Sequence, residues 1–91
     1  VTGASSGLGR HFATTLSAAG AQVAVASRRK NLLDSLALEI EGSGGKAFAV
    51  SLDQTNSSSV SSAVEQVERE FGPIEILVNN AGGAVSVSFA V

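Results

Sequence analysis

Residues 1–9 read Val-Thr-Gly-Ala-Ser-Ser-Gly-Leu-Gly, and this stretch joins the end of an expected strand to the start of an expected helix. A glycine-rich turn in this context exposes unpaired backbone N–H groups at the positive end of the helix dipole, so it favours an anion. Gly3 would permit the tight turn, Gly7 would let a pyrophosphate approach the backbone, and Gly9 would let the helix pack closely on the sheet. The stretch therefore predicts a phosphate-binding turn.

Two other interpretations of this turn follow from its spacing. A P-loop needs a glycine five residues after the first one, followed by Lys, but that position is Leu8 and no Lys follows, so this interpretation fails. Residues 3–7 also match the Gly-x-Ser-x-Gly nucleophile elbow of α/β-hydrolases, with Ser5 as nucleophile. The single histidine, His11, falls in the next helix and cannot serve as a downstream triad base. A serine hydrolase therefore stays an alternative that needs a His from outside this chain.

Helical and strand-like apolar spacings alternate along the rest of the chain. Short apolar runs at residues 22–26, 46–52 and 74–78 predict buried strands. Apolar residues spaced three and four apart predict three helices, with these inward faces: Leu8, Phe12, Leu16 and Ala19; Leu32, Leu33, Leu36, Ala37 and Ile40; Val60, Ala63, Val64, Val67 and Phe71. The alternation predicts an α/β fold with a parallel sheet, right-handed crossovers and helices on both faces.

The residues that follow the second strand are basic. The strand ends at Ser27, and Arg28, Arg29 and Lys30 come next. A carboxylate at this place would accept hydrogen bonds from the adenosine ribose of NAD and repel a 2′-phosphate, whereas Ser does not repel it. Arg28 can donate two hydrogen bonds to a phosphate and stack on adenine. The sequence therefore predicts NADP as cofactor, with NADPH preferred over NADH; the alternative is a solvated basic loop.

Polar residues also follow the third and fourth strands. Asp53 ends the third, and residues 79–82, Asn-Asn-Ala-Gly, end the fourth. Ligands of open α/β sheets bind at these carboxyl ends. Asp53 can accept from an adenine amino group, or it can cap the next helix. The paired Asn side chains can tie neighbouring strand ends together.

In this order and spacing, Thr-Gly-x-x-x-Gly-x-Gly at residues 2–9, Asp53 and Asn-Asn-Ala-Gly at 79–82 resemble the cofactor half of the short-chain dehydrogenase/reductases. The resemblance extends to about residue 84 and looks closest to bacterial 3-oxoacyl-carrier-protein reductases. It implies a Rossmann-type, doubly wound parallel sheet. It also implies hydride transfer between the nicotinamide and a small-molecule carbonyl or alcohol substrate.

The resemblance also assigns roles to residues. It places Arg28 at the 2′-phosphate, Asp53 and Gln54 at the adenine, and Asn79 mainly in support of the sheet. The cofactor-lining positions that it implies are Gly3, Ser5, Ser6, Gly7, Leu8, Gly9, Arg28, Arg29, Asp53, Gln54, Asn80, Ala81 and Gly82. The family's catalytic Ser and Tyr-x-x-x-Lys cannot be matched, and the chain has no Tyr, so no catalytic residue is assigned and the chain alone is expected to be inactive. In the family, the stretch after Gly82 leads towards a helix of the oligomer interface, so the parent protein is expected to be a homo-oligomer.

Composition limits the remaining classes. The chain has 91 residues, a net charge of -2 and no Cys, which excludes disulfides and thiolate metal sites and gives no case for nucleic acid or a membrane as partner. No apolar run reaches the ~20 residues of a membrane span, and no targeting segment is visible, so we expect a cytoplasmic protein. Because there is no Met and residues 1–2 read as the end of a strand, we interpret residues 1–91 as part of a NAD(P)-binding Rossmann domain truncated at both ends.

Overall fold

The computed structural model describes residues 1–5, 7–80 and 86–89. Its elements are α1 (Gly7–Ala18), β1 (Gln22–Ser27), α2 (Lys30–Gly42), β2 (Lys46–Ser51), α3 (Ser57–Phe71), β3 (Ile76–Asn79) and β4 (Ser86–Phe89). The three helices and the strands at β1 and β2 begin and end within a few residues of the bounds that the apolar spacing predicts. The α/β class predicted from the sequence is therefore confirmed.

Residues 1–2 connect the two halves of the sheet. β1 and β2 pair in parallel, and Thr2 forms a parallel bridge with Ala26 of β1. On its other side, the Thr2 backbone N–H donates to the carbonyl oxygen of Val78 in β3 at 3.0 Å. The strands therefore lie in the order β2, β1, residues 1–2, β3 and β4, with the first residues of the chain in the middle of the sheet.

Helices cover both faces of this sheet. Alternate residues of β1 point to opposite faces and therefore join different apolar clusters. One apolar cluster lies against α1 and α2; it consists of Ala4, Ala13, Val23, Val25, Leu33, Leu36 and Ile40. The other lies against α3; it consists of Ala26, Val50, Leu52, Ala63 and Val67. The sheet is thus packed against helices on both faces.

The structure corrects the sequence prediction in several places. Val60 and Val64 were predicted on the inward face of α3 but are exposed, because the helix contacts the core through Ala63 and Val67. The strand at residues 74–78 was predicted to be buried, but Ile76 and Leu77 are exposed.

β4 was not predicted, since residues after Gly82 were expected to lead towards a helix, and it pairs with β3 antiparallel, so the sheet is not parallel throughout. Leu8 was predicted on the buried face of α1, but it is 52% exposed, and Gly9 and Ala13 are the buried residues of that helix. Ala19 lies after the end of α1 and is exposed, because the helix stops at Ala18 before Gly20, which has φ of 99°.

Candidate functional site

The glycine turn has the backbone geometry that its sequence predicts. Gly3 and Gly7 have φ angles of 61° and 58°, which residues other than glycine rarely adopt. A Cβ built on Gly7 has no atom within 4 Å, so the backbone at the start of α1 is uncovered in the described part of the chain. The first N–H groups of a helix have no partner within it, and here they lie beside an open backbone surface. This arrangement suits an anion that approaches the turn closely.

Gly9 is needed for a different reason. A Cβ at this position would collide with the carbonyl oxygen of Gly3 and would lie 2.7 Å from Nδ2 of Asn80. The sequence predicted that Gly9 allows close packing of the helix on the sheet. The structure shows that the close neighbours are the glycine turn itself and the side chain at the end of β3.

Thr2 joins the turn to the end of β3. Its side chain is buried, its hydroxyl donates to Oδ1 of Asn79 at 3.2 Å, and its oxygen accepts from the backbone N–H of Asn80 at 3.0 Å. Nδ2 of Asn80 in turn donates to the carbonyl oxygen of Gly3 at 3.4 Å. The paired Asn residues therefore tie strand ends together, as their side-chain chemistry predicted. The sequence placed Thr2 in the glycine-turn motif without predicting this role; its hydroxyl next to a turn glycine at a strand end was the available signal.

Asp53 folds back onto its own loop. Oδ1 of Asp53 accepts from the backbone N–H of Thr55 at 3.0 Å and from the Thr55 hydroxyl at 2.6 Å, and its own N–H donates to the Ser59 hydroxyl at 2.9 Å. The two hydrogen bonds from Thr55 lower the pKa of the Asp53 carboxyl, and the positive charge of Arg28 lowers it further. Asp53 is therefore ionised at neutral pH, and Arg28 at the end of β1 is near enough for its charge to act on this carboxylate.

The basic residues after β1 are available to a ligand. Arg28 and Arg29 are exposed, and the Ser27 hydroxyl accepts from the backbone N–H of Arg29 at 3.0 Å. Arg29 is the N-cap residue of α2, and its carbonyl oxygen accepts from the N–H groups of Leu32 and Leu33. The guanidinium groups are thus carried by a short segment whose backbone is fixed at both ends.

Other polar residues of α1 do not join this site. The guanidinium of Arg10 pairs with the Glu39 carboxylate of α2, and His11 is exposed. Leu8 is exposed close to the turn, where a ligand could cover it. The resemblance also implied Ser6, Ala81 and Gly82 at the cofactor, and these three lie outside the described residues.

Three further properties describe the chain outside this edge. A hollow of about 610 Å³ lies mainly on the α3 side of the sheet, and its largely apolar lining includes Val64, Val67 and Leu77 together with the polar side chains of Gln22 and Glu75. In the described ranges, no three His, Cys, Asp or Glu side chains cluster as metal ligands. None of the helices described is both long and apolar enough to cross a bilayer.

Comparison with known families decides the family. The model of the short chain dehydrogenase family matches residues 1–90. This chain belongs to the short chain dehydrogenase family. The resemblance seen in the glycine turn, Asp53 and residues 79–82 is therefore confirmed, and the order β2, β1, residues 1–2 and β3 is that of a Rossmann-type sheet.

Relatives and solved structures match nearly all of this chain. A short chain dehydrogenase of Pseudocercospora fijiensis is 45% identical over 82 residues, which are 90% of this chain and 26% of the relative. The ketoacyl reductase HetN of a Nostoc species is 39% identical over 99% of this chain and 31% of its own length.

Among solved structures, a metagenomic short-chain oxidoreductase in complex with NADP superposes with a TM-score of 0.85 at 35% identity, over 90% of this chain and 37% of that one. An alcohol dehydrogenase of Thermococcus sibiricus complexed with 5-hydroxy-NADP gives a TM-score of 0.79 at 30% identity, over 82% of this chain and 32% of that one. The chain thus spans between about a quarter and two fifths of the length of these proteins.

Proposed function

We propose that this chain is the cofactor-binding part of an NADP-dependent oxidoreductase, which transfers hydride between the nicotinamide and a carbonyl or alcohol substrate. Family membership supports the reaction class, and the solved relatives that carry NADP and 5-hydroxy-NADP support the kind of cofactor. The turn at Gly3 and Gly7 would hold the pyrophosphate against the start of α1. Asp53 and Asn80 would flank the adenosine half and the ribose, respectively. The hydride chemistry itself belongs to the nicotinamide.

The preference for NADPH depends on the end of β1. A 2′-phosphate placed there meets the Ser27 hydroxyl, which is already engaged by a backbone N–H, and two exposed guanidinium groups. The nearby carboxylate, Asp53, belongs to the loop after β2, and two hydrogen bonds hold its Oδ1 towards Thr55. The single observation that carries the proposal for NADP is that the end of β1 has Ser27 in place of a carboxylate, followed by two exposed guanidinium groups.

Binding of the two dinucleotides tests it. Dissociation constants for NADPH and NADH are measured by fluorescence titration of the full-length protein and of Arg28→Ala. A lost charge-assisted hydrogen bond is worth about 1.5–3 kcal/mol, so Kd for NADPH should rise roughly 10- to 100-fold while Kd for NADH changes little. Arg69→Ala removes the same charge from the exposed face of α3 and should leave both constants unchanged. Equal affinity of the unaltered protein for NADPH and NADH would contradict the proposed preference.

A second candidate function keeps the same cofactor without catalysis. A family member that lacks the catalytic Tyr and Lys would bind NADPH as a sensor, and the residues that follow this chain in the full protein decide between the two. The serine-hydrolase alternative for Ser5 loses its support, since the family match accounts for the glycine turn. A homo-oligomeric state, a cytoplasmic location and a 3-oxoacyl-carrier-protein reductase activity stay predictions; the name of the Nostoc ketoacyl reductase agrees with the last.

A further inference from the structure

The loop after β2 reaches across the carboxyl edge of the sheet. Gln54 lies in this loop, and its side-chain Nε2 donates to Oδ1 of Asn79, the last residue of β3, at 3.3 Å. In the sheet, β1 and residues 1–2 lie between β2 and β3. The Gln54 side chain therefore bridges two strand ends that are not neighbours, over the place where a dinucleotide would lie.

The bridge continues through three more hydrogen bonds to the glycine turn. Oδ1 of Asn79 also accepts from the Thr2 hydroxyl at 3.2 Å. That hydroxyl has one hydrogen, and the other acceptor within reach, the carbonyl oxygen of Val78, is farther away at 3.5 Å. With its hydrogen directed at Asn79, the Thr2 oxygen presents its lone pairs to the N–H of Asn80, whose side chain then holds Gly3.

The orientation of the Asn79 side-chain amide decides whether the Thr2 hydroxyl can donate to it. The amide can present its oxygen or its NH₂ group, and only the oxygen can accept the Thr2 hydroxyl hydrogen. A second N–H donor to Oδ1 of Asn79 favours the orientation in which this oxygen faces Thr2. Asn79 is exposed, so little packing holds its side chain in place. Gln54 supplies the second donor.

We propose that Gln54 is a positioning residue of the dinucleotide site, acting through Asn79 and Thr2 on the backbone of Asn80 and thereby on the glycine turn. The expected effect of Gln54 on dinucleotide binding rests on the proposed cofactor function. Its expected effect on the hydrogen bonds at the strand ends does not. The resemblance to the family had placed Gln54 at the adenine. The structure places its side chain at the end of β3, which β1 and residues 1–2 separate from β2.

Four variants of the full-length protein test the proposal: Gln54→Ala, Asn79→Ala, the double variant, and Gln66→Ala as control. Gln66 is an exposed residue of α3 that donates to the Ser62 hydroxyl at 3.1 Å, away from the site. NADPH affinity is measured by fluorescence titration. Since one neutral hydrogen bond is lost, Gln54→Ala should raise Kd about 3- to 10-fold. Gln66→Ala should not change it.

The double variant shows whether Gln54 acts through Asn79. Its Kd should match that of Asn79→Ala within about twofold, because a residue that acts through another has no further effect once its partner is gone. Amide hydrogen exchange of the unliganded protein separates this role from general destabilisation, which would speed exchange at both the Asn80 and the Thr2 amide. Gln54→Ala should speed exchange at the Asn80 N–H and leave the Thr2 N–H, which donates to Val78, unchanged.

The outcomes separate this inference from the proposed function. Unchanged Asn80 exchange in Gln54→Ala, unchanged NADPH affinity in a protein that binds NADPH, or effects of the two substitutions that simply multiply would each overturn the role of Gln54. If the unaltered protein binds no nicotinamide dinucleotide, the proposed function fails, while the exchange measurement still decides whether Gln54 orders the strand ends.

Discussion

Replacing Gly9 by Ala tests the close contact between α1 and the glycine turn. The added Cβ would collide with the Gly3 carbonyl oxygen and lie 2.8 Å from the Gly3 carbonyl carbon, so no side-chain rotation can relieve it. Overpacking costs about 1–3 kcal/mol, and loss of the bond between Asn80 and Gly3 adds about 1 kcal/mol. The better helix propensity of Ala returns about 1 kcal/mol. We expect a net loss of roughly 1–3 kcal/mol in the free energy of unfolding.

A matched substitution separates the steric effect of a Cβ at Gly9 from the gain in helix propensity on replacing Gly by Ala. Gly42 ends α2, and a Cβ built there has no atom within 4 Å, so Gly42→Ala should be neutral or slightly stabilising. Both variants are compared by urea unfolding of the full-length protein, with the linear dependence of free energy on urea extrapolated to water. Equal stability of the Gly9 and Gly42 variants would refute the argument, because it would show that the turn and α1 are not in contact at Gly9.

Two further predictions concern the loop between β2 and α3. The Asn56 side chain caps α3 by accepting from the N–H of Ser59 at 3.2 Å, so Asn56→Ala should cost about 1 kcal/mol in urea unfolding, and Asn56→Asp, which keeps the acceptor, should not. Because hydrogen bonds from Thr55 lower the pKa of Asp53, that carboxylate stabilises the fold above its ordinary pKa of 3.8, and this contribution is lost as the pH falls through the lowered value. Thr55→Val should raise the pKa of Asp53, as read from its carboxyl ¹³C shift, and its stability deficit should shrink on acidification; an unchanged pKa would contradict the assignment.

The local elements could be predicted from sequence because their signals are local. Spacings of three and four place α2 and α3 correctly, and a short Val- and Ala-rich run marks β1. Leu8 was misplaced because its apolar side chain fits the period, yet it stands at the helix start, where the turn and not the sheet is the neighbour. β4 was missed although residues 86–89 alternate Ser and apolar residues, since a strand of four residues next to glycines gives a weak signal without its partner β3.

The site was predictable only as a set of positions. Glycine spacing and polar residues at strand ends locate Gly3, Asp53 and Asn80 at one edge, since carboxyl ends of parallel strands meet there. Which groups are engaged with each other was not predictable. The contact of Gln54 with Asn79 joins residues 25 apart in the chain, and it depends on how the loop crosses two intervening strands.

The central claim is that a dinucleotide binds at the carboxyl edge of the sheet, against the glycine turn. The most direct test is the backbone amide NMR spectrum of the full-length protein titrated with NADP⁺. The largest shift changes should fall on Gly3, Gly7 and Asn80, with smaller ones at Arg28, and none on the residues around the hollow near Pro73. Shift changes concentrated at that hollow, with Gly3 and Gly7 unmoved at saturating NADP⁺, would contradict it.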